Sequence, residues 1–368
     1  MDDSMTRLFA LIAAFAGCVP SVCLAETTAG NWPQFRGPNG AAVAADQSVP
    51  DQFGPDKNCV WAIETPLGNS SPIVWNRHIF ITGSDGDQLT VLCLSADDGK
   101  EVWRESYKSA FSEDYFHDDC TPAAPTSCTD GSHLVSCFGT YGLMAHDMDG
   151  NELWVRKFDD RSMNFGTGSS PVIHDGNVYF LRDTPKQSEL VCLDVTTGDE
   201  VWVQDRDVRK PSFSTPCVWQ HNGVTEIVVA GSGKLDAYDA DSGQHIWTIN
   251  GIASLICPSP VTLGETLVFG AWTTGHVAGA ERIKSSFSEG EIELSKEELE
   301  DPEAFLKRFD KDKNGSISVE EFPQSRFKEA YRFFDADSDG ELRLQEFRGF
   351  FKGKASPGRN VMLAVRAG

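Results

Sequence analysis

Four segments of the chain superimpose without gaps: LCLSADDGKEVW (92–103), LMAHDMDGNELW (143–154), VCLDVTTGDEVW (191–202) and DAYDADSGQHIW (236–247). In each, glycine stands eighth and tryptophan twelfth. Trp103, Trp154, Trp202 and Trp247 follow one another at 51, 48 and 45 residues. Each segment reads as a strand, a tight turn in which glycine takes positive φ without steric cost, and a second strand ending in a large aromatic. A second marker precedes each hairpin. SSPIVWNRHIFITG, SSPVIHDGNVYFLR, STPCVWQHNGVTEIVVAG and PSPVTLGETLVFGA each give a Ser/Thr-Pro start, a strand, a polar turn and a β-branched strand. APTSCTDGSHLVSCFG, from Ala124, is the variant in the second repeat, and Pro72, Pro125, Pro171, Pro216 and Pro260 recur with the same period.

A four-strand unit repeated at this length buries its faces against its neighbours. The expected fold is therefore mainly β: a β-propeller of four-stranded blades, incomplete, with about five blades in this chain. The repeat tryptophans are then packing residues between blades. Trp61 ends a unit whose first strands must come from elsewhere, and the fifth repeat, begun at Pro258, resumes only at RNVMLAVRAG after Gly358.

Between Gly279 and Pro357 the two-residue period vanishes. Ser295 and Glu298 stand in capping-box positions, and Asp301-Pro302 offers a second cap with proline at the first helical position. Phe305, Leu306 and Phe309 then form an apolar helical stripe. Two twelve-residue loops follow, DKDKNGSISVEE (310–321) and DADSDGELRLQE (335–346), both matching the EF-hand calcium pattern. In the first, Asp310, Asp312 and Asn314 supply side-chain oxygens, Ser316 its carbonyl and Glu321 a bidentate carboxylate, with Gly315 at the sharp turn. In the second, Asp335, Asp337, Asp339 and Glu346 supply the acids, Glu341 its carbonyl and Gly340 the turn. Ile317 and Leu342 are expected to pair across the loops. Calcium takes six to eight hard oxygens at flexible distances, which this spacing wraps around one ion. Position nine is Ser318 in loop one but Arg343 in loop two, and arginine has no acceptor with which to place a ligand water. Two Ca2+ sites of unequal affinity are expected, and Pro323 shortens the exit helix of the first hand.

The opening MTRLFALIAAFAGCVPSVCLAE, with Arg7 before an apolar run, reads as a secretory signal cleaved after Ala25, with Met5 as an alternative start. A lipoprotein signal with Cys18 modified is the other reading. No later segment is apolar enough to span a membrane, so an exported, periplasmic or extracellular protein is expected. The net charge of −23 argues against a nucleic-acid partner. Eight cysteines remain after Ala25; most lie in apolar strand patterns, such as Cys93 and Cys192, and read as buried small hydrophobes. Cys120 and Cys128, close together in a Pro-rich loop, could be bridged in an oxidising compartment. The segments expected are a signal peptide (1–25), an extended segment (26–56), blades (57–280), an EF-hand pair (281–356) and a returning strand (357–368).

The Asp…Gly…Trp unit resembles the PQQ-like repeat of the quinoprotein and BamB-like β-propeller family. NWPQFRGPNGAAVA (31–44), followed by WAIETPLGNSSPIVW, resembles the secreted planctomycete type. The resemblance covers roughly residues 31–280 and 358–368. Family members continue through further blades, so the resemblance implies a C-terminally truncated propeller. Quinoprotein dehydrogenases of this family use an adjacent-cysteine disulfide, a Trp floor and a funnel calcium. No two cysteines are adjacent here, so pyrroloquinoline quinone is not an expected cofactor. His117-Asp118-Asp119 reads as a polar loop, His174-Asp175-Gly176 as a solvated turn, and Trp272–His276 has no partner in sequence. No nucleophile elbow, P-loop or dinucleotide fingerprint is present. The sequence thus points to an exported calcium-binding scaffold that presents loops to a protein or cell-envelope partner. The alternative is a PQQ-dependent oxidoreductase.

Overall fold

The structure is a computed structural model. It describes residues 30–44, 50–54, 56–109, 120–139, 141–158, 166–184, 187–206, 211–253, 256–271, 294–295, 297–298, 301–322, 331, 340–344 and 361–367. Four antiparallel sheets of four strands each follow one another along the chain. Blade one holds β1 (Ile73–Trp75), β2 (His78–Asp85), β3 (Gln88–Ser95) and β4 (Glu101–Lys108). Blade two holds β5 (Cys128–Thr129), β6 (His133–Phe138), β7 (Gly142–Asp147) and β8 (Glu152–Lys157). Blade three holds β9 (Val172–His174), β10 (Asn177–Asp183), β11 (Ser188–Asp194) and β12 (Glu200–Asp205). Blade four holds β13 (Cys217–His221), β14 (Val224–Gly231), β15 (Lys234–Asp239) and β16 (His245–Asn250). In a fifth sheet β17 (Val261–Leu263) pairs with β18 (Thr266–Ala271), and β18 pairs with β21 (Val361–Arg366).

The third strand of each blade is buried almost throughout, whereas the fourth, as in β4, alternates with solvent. Both faces of a middle strand are covered, and the two-residue period sends alternate side chains to opposite neighbours. Leu134 and Met144 of blade two pack with Phe80 and Val91 of blade one. Val135 and Leu143, one residue away on the same strands, pack with Val178 and Val191 of blade three. Tyr179 and Leu181 of blade three meet Ile227 and Val229 of blade four, and Val228 and Leu235 of blade four meet Leu267 and Phe269 of the fifth sheet.

The repeated Gly and Trp have one physical explanation. Each tryptophan lies flat on the glycine turn of the following blade: Trp61 on Gly99, Trp103 on Gly150, Trp154 on Gly198 and Trp202 on Gly243. All four glycines have positive φ, and a Cβ on Gly198 would stand 2.6 Å from Trp154 Cδ2. The indole Nε1–H then donates to a carbonyl of that turn: Trp61 to Ala96 (3.1 Å), Trp103 to Met148 (3.0 Å), Trp154 to Val195 (2.8 Å) and Trp202 to Ala240 (3.0 Å). Trp247 departs from the series and donates to Glu226 Oε2 of its own blade at 2.9 Å.

The Ser/Thr-Pro markers form a second belt. The amide of Ser71 donates to the Thr126 hydroxyl (2.9 Å), Thr126 to Ser170 (3.0 Å), Ser170 to Thr215 (3.2 Å) and Thr215 to Ser259 (2.9 Å). Each buried amide finds its partner in the next blade, which ties the first strands together.

The segment before the blades runs across these first strands. Trp32 exchanges backbone bonds with Val74, and the Pro33 carbonyl accepts from the Thr129 amide at 2.9 Å. A single 3-10 turn, Pro38–Gly40, then lies beside β13 and β17.

The expected Cys120–Cys128 bridge is not formed. Both are free thiols, and Cys128 is buried against Val135, Cys137 and Val178, where it is a core residue of the interface between blades two and three. Burial raises its thiol pKa well above the usual value.

Candidate metal centre

Ala271 pairs directly with Val361 although 90 positions separate them, so residues 272–360 leave and return between neighbouring strands. Within that stretch lies helix α1 (Pro302–Phe309). Its start has the expected chemistry. Ser295 and Glu298 exchange a capping box, with the Ser295 amide 2.6 Å from Glu298 Oε2 and the Glu298 amide 3.2 Å from Ser295 Oγ. Asp301 caps α1 by accepting the Glu303 amide at 2.9 Å, and Pro302 occupies the first turn. Phe305 and Phe309 are buried, with ring centroids 4.7 Å apart, while Leu306 is half-buried.

Immediately after α1 the chain folds around its own acids. Carboxylate oxygens of Asp310, Asp312 and Glu321 lie within 4.8 Å of one another. Asp310 Oδ1 accepts the Asn314 amide (3.1 Å) and Oδ2 the Gly315 amide (2.9 Å); Asp312 Oδ1 also accepts the Asn314 amide (3.0 Å). Gly315 has φ 90°, the left-handed turn its position demands. Glu321 reaches back eleven residues. Its Oε1 accepts the Lys311 amide (2.8 Å) and the Asp312 amide (3.1 Å), and its Oε2 the Ser318 amide (2.9 Å). The Ser318 amide bond leads the causes that hold the Glu321 carboxyl below its usual pKa. Asn314 Oδ1 accepts the Ser316 amide at 2.8 Å.

Three like charges this close repel, and what offsets them here is a ring of backbone N–H groups. The converging side-chain donors are oxygens with no sulfur or imidazole among them, and such a set fits a hard divalent cation. A calcium ion there would be held by Asp310, Asp312, Asn314, the Ser316 carbonyl and Glu321, and it would supply the positive charge that lets the carboxylates approach.

The strand after this loop, β19 (Ser316–Ser318), pairs antiparallel with β20 (Glu341–Arg343), and Ile317 lies opposite Leu342, both fully buried. Gly340 takes φ 84° and Glu341 opens β20. Asp335, Asp337, Asp339 and Glu346 of the second loop lie outside the described residues, as do His117-Asp118-Asp119, Trp272–His276 and the signal segment. Sequence reasoning missed Tyr331. Its buried hydroxyl lies 2.7 Å from the Ile317 carbonyl and 2.8 Å from the Gly340 carbonyl, joining the two loops. Its aromatic edge also meets Phe322. A lone tyrosine in the segment FKEAYRFF carries no sequence pattern that would single it out.

No helix among the described residues is long and apolar enough to cross a membrane. The chain is 33% identical over 89 residues to the quinohemoprotein alcohol dehydrogenase ADH IIB of Pseudomonas putida, which is 23% of this chain and 12% of that protein. Among solved structures it is similar to BamB from Moraxella catarrhalis, with TM-score 0.45 and 16% identity over 58% of this chain and 61% of that one. It is also similar to the quinohemoprotein alcohol dehydrogenase of Comamonas testosteroni, with TM-score 0.44 and 11% identity over 56% of this chain and 40% of that one. The chain thus spans about an eighth of the length of the curated dehydrogenase it matches and about three fifths of the Moraxella protein. The model of the family described as outer membrane protein assembly factor BamB matches residues 46–288, two thirds of the chain, and those residues hold the Gly and Trp blades: the protein belongs to that family.

Proposed function

We propose that this protein is an exported β-propeller scaffold of the cell envelope, non-catalytic, whose inserted EF-hand pair binds calcium and whose blade loops engage a protein or envelope partner. The observation that carries the calcium reading is the convergence of Asp310, Asp312 and Glu321 within 4.8 Å in a loop closed by backbone bonds. The pairing of Ile317 with Leu342 supports two loops acting as one unit. Family membership supports the envelope and the scaffold role, and the apolar run before Ala25 supports export. Because the insertion leaves and returns between β18 and β21, calcium acts as a clamp on that pair of strands.

Isothermal titration of the full chain with Ca2+ tests this reading. Two bound ions are expected, with unequal affinities in the micromolar-to-millimolar range typical of extracellular and sensor sites. The double variant Asp310→Ala, Glu321→Gln is expected to bind one ion. A wild-type chain that takes up no calcium overturns the assignment.

The 89-residue likeness to a quinohemoprotein dehydrogenase favours a second reading, a PQQ-dependent oxidoreductase. The chain has no adjacent cysteines, which speaks against it. Purified protein incubated with pyrroloquinoline quinone, calcium, an alcohol and a redox dye separates the two. The scaffold reading expects no dye reduction, and sustained reduction would replace it with the oxidoreductase.

A further inference from the structure

The N-terminal segment closes one side of a cavity of about 490 Å3, whose other walls come from the first strands of blades two to four and the β17–β18 hairpin. None of the described residues lining it is Asp or Glu, in a chain whose net charge is −23. Arg36 lines this cavity with its guanidinium 5.3 Å from the Phe35 ring centroid, and it makes no ion pair or side-chain hydrogen bond with any described residue. That is unusual here, since Arg77, Arg104, Arg156, Arg182, Arg206 and Arg308 each pair with a carboxylate. The backbone holds Arg36 in place at φ 62°, its carbonyl accepting the Ala42 amide at 2.7 Å.

Across the cavity stand His174 and Gln220, with Nε2 atoms 3.5 Å apart. The hairpin turn read at His174-Asp175-Gly176 is present, with His174 as the last residue of β9 before it, half-buried on the cavity wall. Thr215 and Ser259 also line it; each hydroxyl accepts a backbone amide of the belt, which leaves its own proton available to donate. An unpaired guanidinium, amide and imidazole groups and free hydroxyl protons together present donors with no competing carboxylate. The volume suits a small molecule.

We propose that this cavity binds a small hydroxylated carboxylate of the sugar-acid class. Arg36 pairs with the carboxylate, and Gln220, His174, Thr215 and Ser259 bond to the hydroxyls. This site is independent of the calcium loops.

Calorimetric titration of the full chain with D-glucuronate, and with D-glucose as its neutral counterpart, tests the assignment. Saturable glucuronate binding is expected, at least tenfold tighter than glucose and weakened by salt. Arg36→Gln is expected to lose tenfold or more, Arg36→Lys to lose less, and Gln220→Ala to weaken both sugars. Arg36→Gln should keep an unfolding midpoint close to wild type, because the Arg36 side chain makes no ion pair or hydrogen bond with any described residue, only the contact with the Phe35 ring. No glucuronate binding at millimolar concentration overturns the proposal. Equal binding by the folded Arg36→Gln protein, or glucose bound as tightly as glucuronate, also overturns it.

Discussion

Gly198 shows how a single residue is fixed by two demands at once. Its φ of 73° disfavours any side chain, and the Trp154 ring occupies the space a Cβ would need. Gly198→Ala should therefore destabilise the protein by about 2–4 kcal/mol, read as a lowered urea midpoint. His146 belongs to the same scale. It is buried between blades one and two, and the hydroxyl of the half-buried Tyr107 lies 2.6 Å from its Nε2. Burial raises the Tyr107 pKa, so the phenol stays protonated beside the ring, whose Nδ1 is buried without a partner among the described residues. Desolvation lowers the His146 pKa below that of the unfolded chain. The unfolded state then holds more protons as pH falls, so stability is full above roughly pH 6.5 and declines below it. His146→Gln should flatten the slope of unfolding free energy between pH 7 and 5; an unchanged slope would remove His146 from the acid response. Arg206 could not have been found from sequence. It is buried with Asp183 and Asp236 at 3.0 Å each and with the Tyr238 hydroxyl at 2.9 Å, joining blades three and four through residues scattered over fifty positions. Separately each of these reads as an ordinary surface charge.

At the scale of elements, the convergence of Asp310, Asp312 and Glu321 was legible because these residues are local. Twelve consecutive residues carry the oxygens, the glycine turn and the closing glutamate, and the caps of α1 are likewise contained within a few residues. The repeat count also places this element inside the fifth blade, and the structure pairs the strands on either side of it, β18 and β21. That pair is closed across 90 positions, and a long loop loses entropy when its ends are held together. Calcium that orders the insertion lowers this cost. Chelation should therefore speed amide hydrogen exchange in 266–271 and 361–366 while the middle strands of blades two and three remain protected. Exchange in β18 and β21 that is indifferent to chelator would mean the insertion hangs freely from the blade.

Across the whole molecule, each blade is stable only through its neighbours. The core residues alternate between the two adjacent sheets, and both the tryptophan contacts and the Ser/Thr belt run from one blade to the next. Such a stack unfolds with nearest-neighbour coupling. Trp154→Ala, which removes the wedge between blades two and three and leaves the Val195 carbonyl unpaired, should cost about 3–5 kcal/mol. Fluorescence and circular dichroism should still report coincident transitions. A separate early transition for one blade would show that the blades fold independently. Sequence alone determined the repeat, because glycine at positive φ and a tryptophan four residues later are demands that recur wherever one blade meets the next. It also marked out the acidic loop 310–321, because the carboxylates that converge there come from one short segment. Tertiary structure decided everything assembled from distant positions. It chose which turn each tryptophan lies on, kept Cys120 and Cys128 apart, buried Arg206 between two aspartates, and laid the N-terminal segment over a cavity that Arg36 and His174 both line. Those contacts depend on how the blades stack, and spacing along the chain carries no record of it.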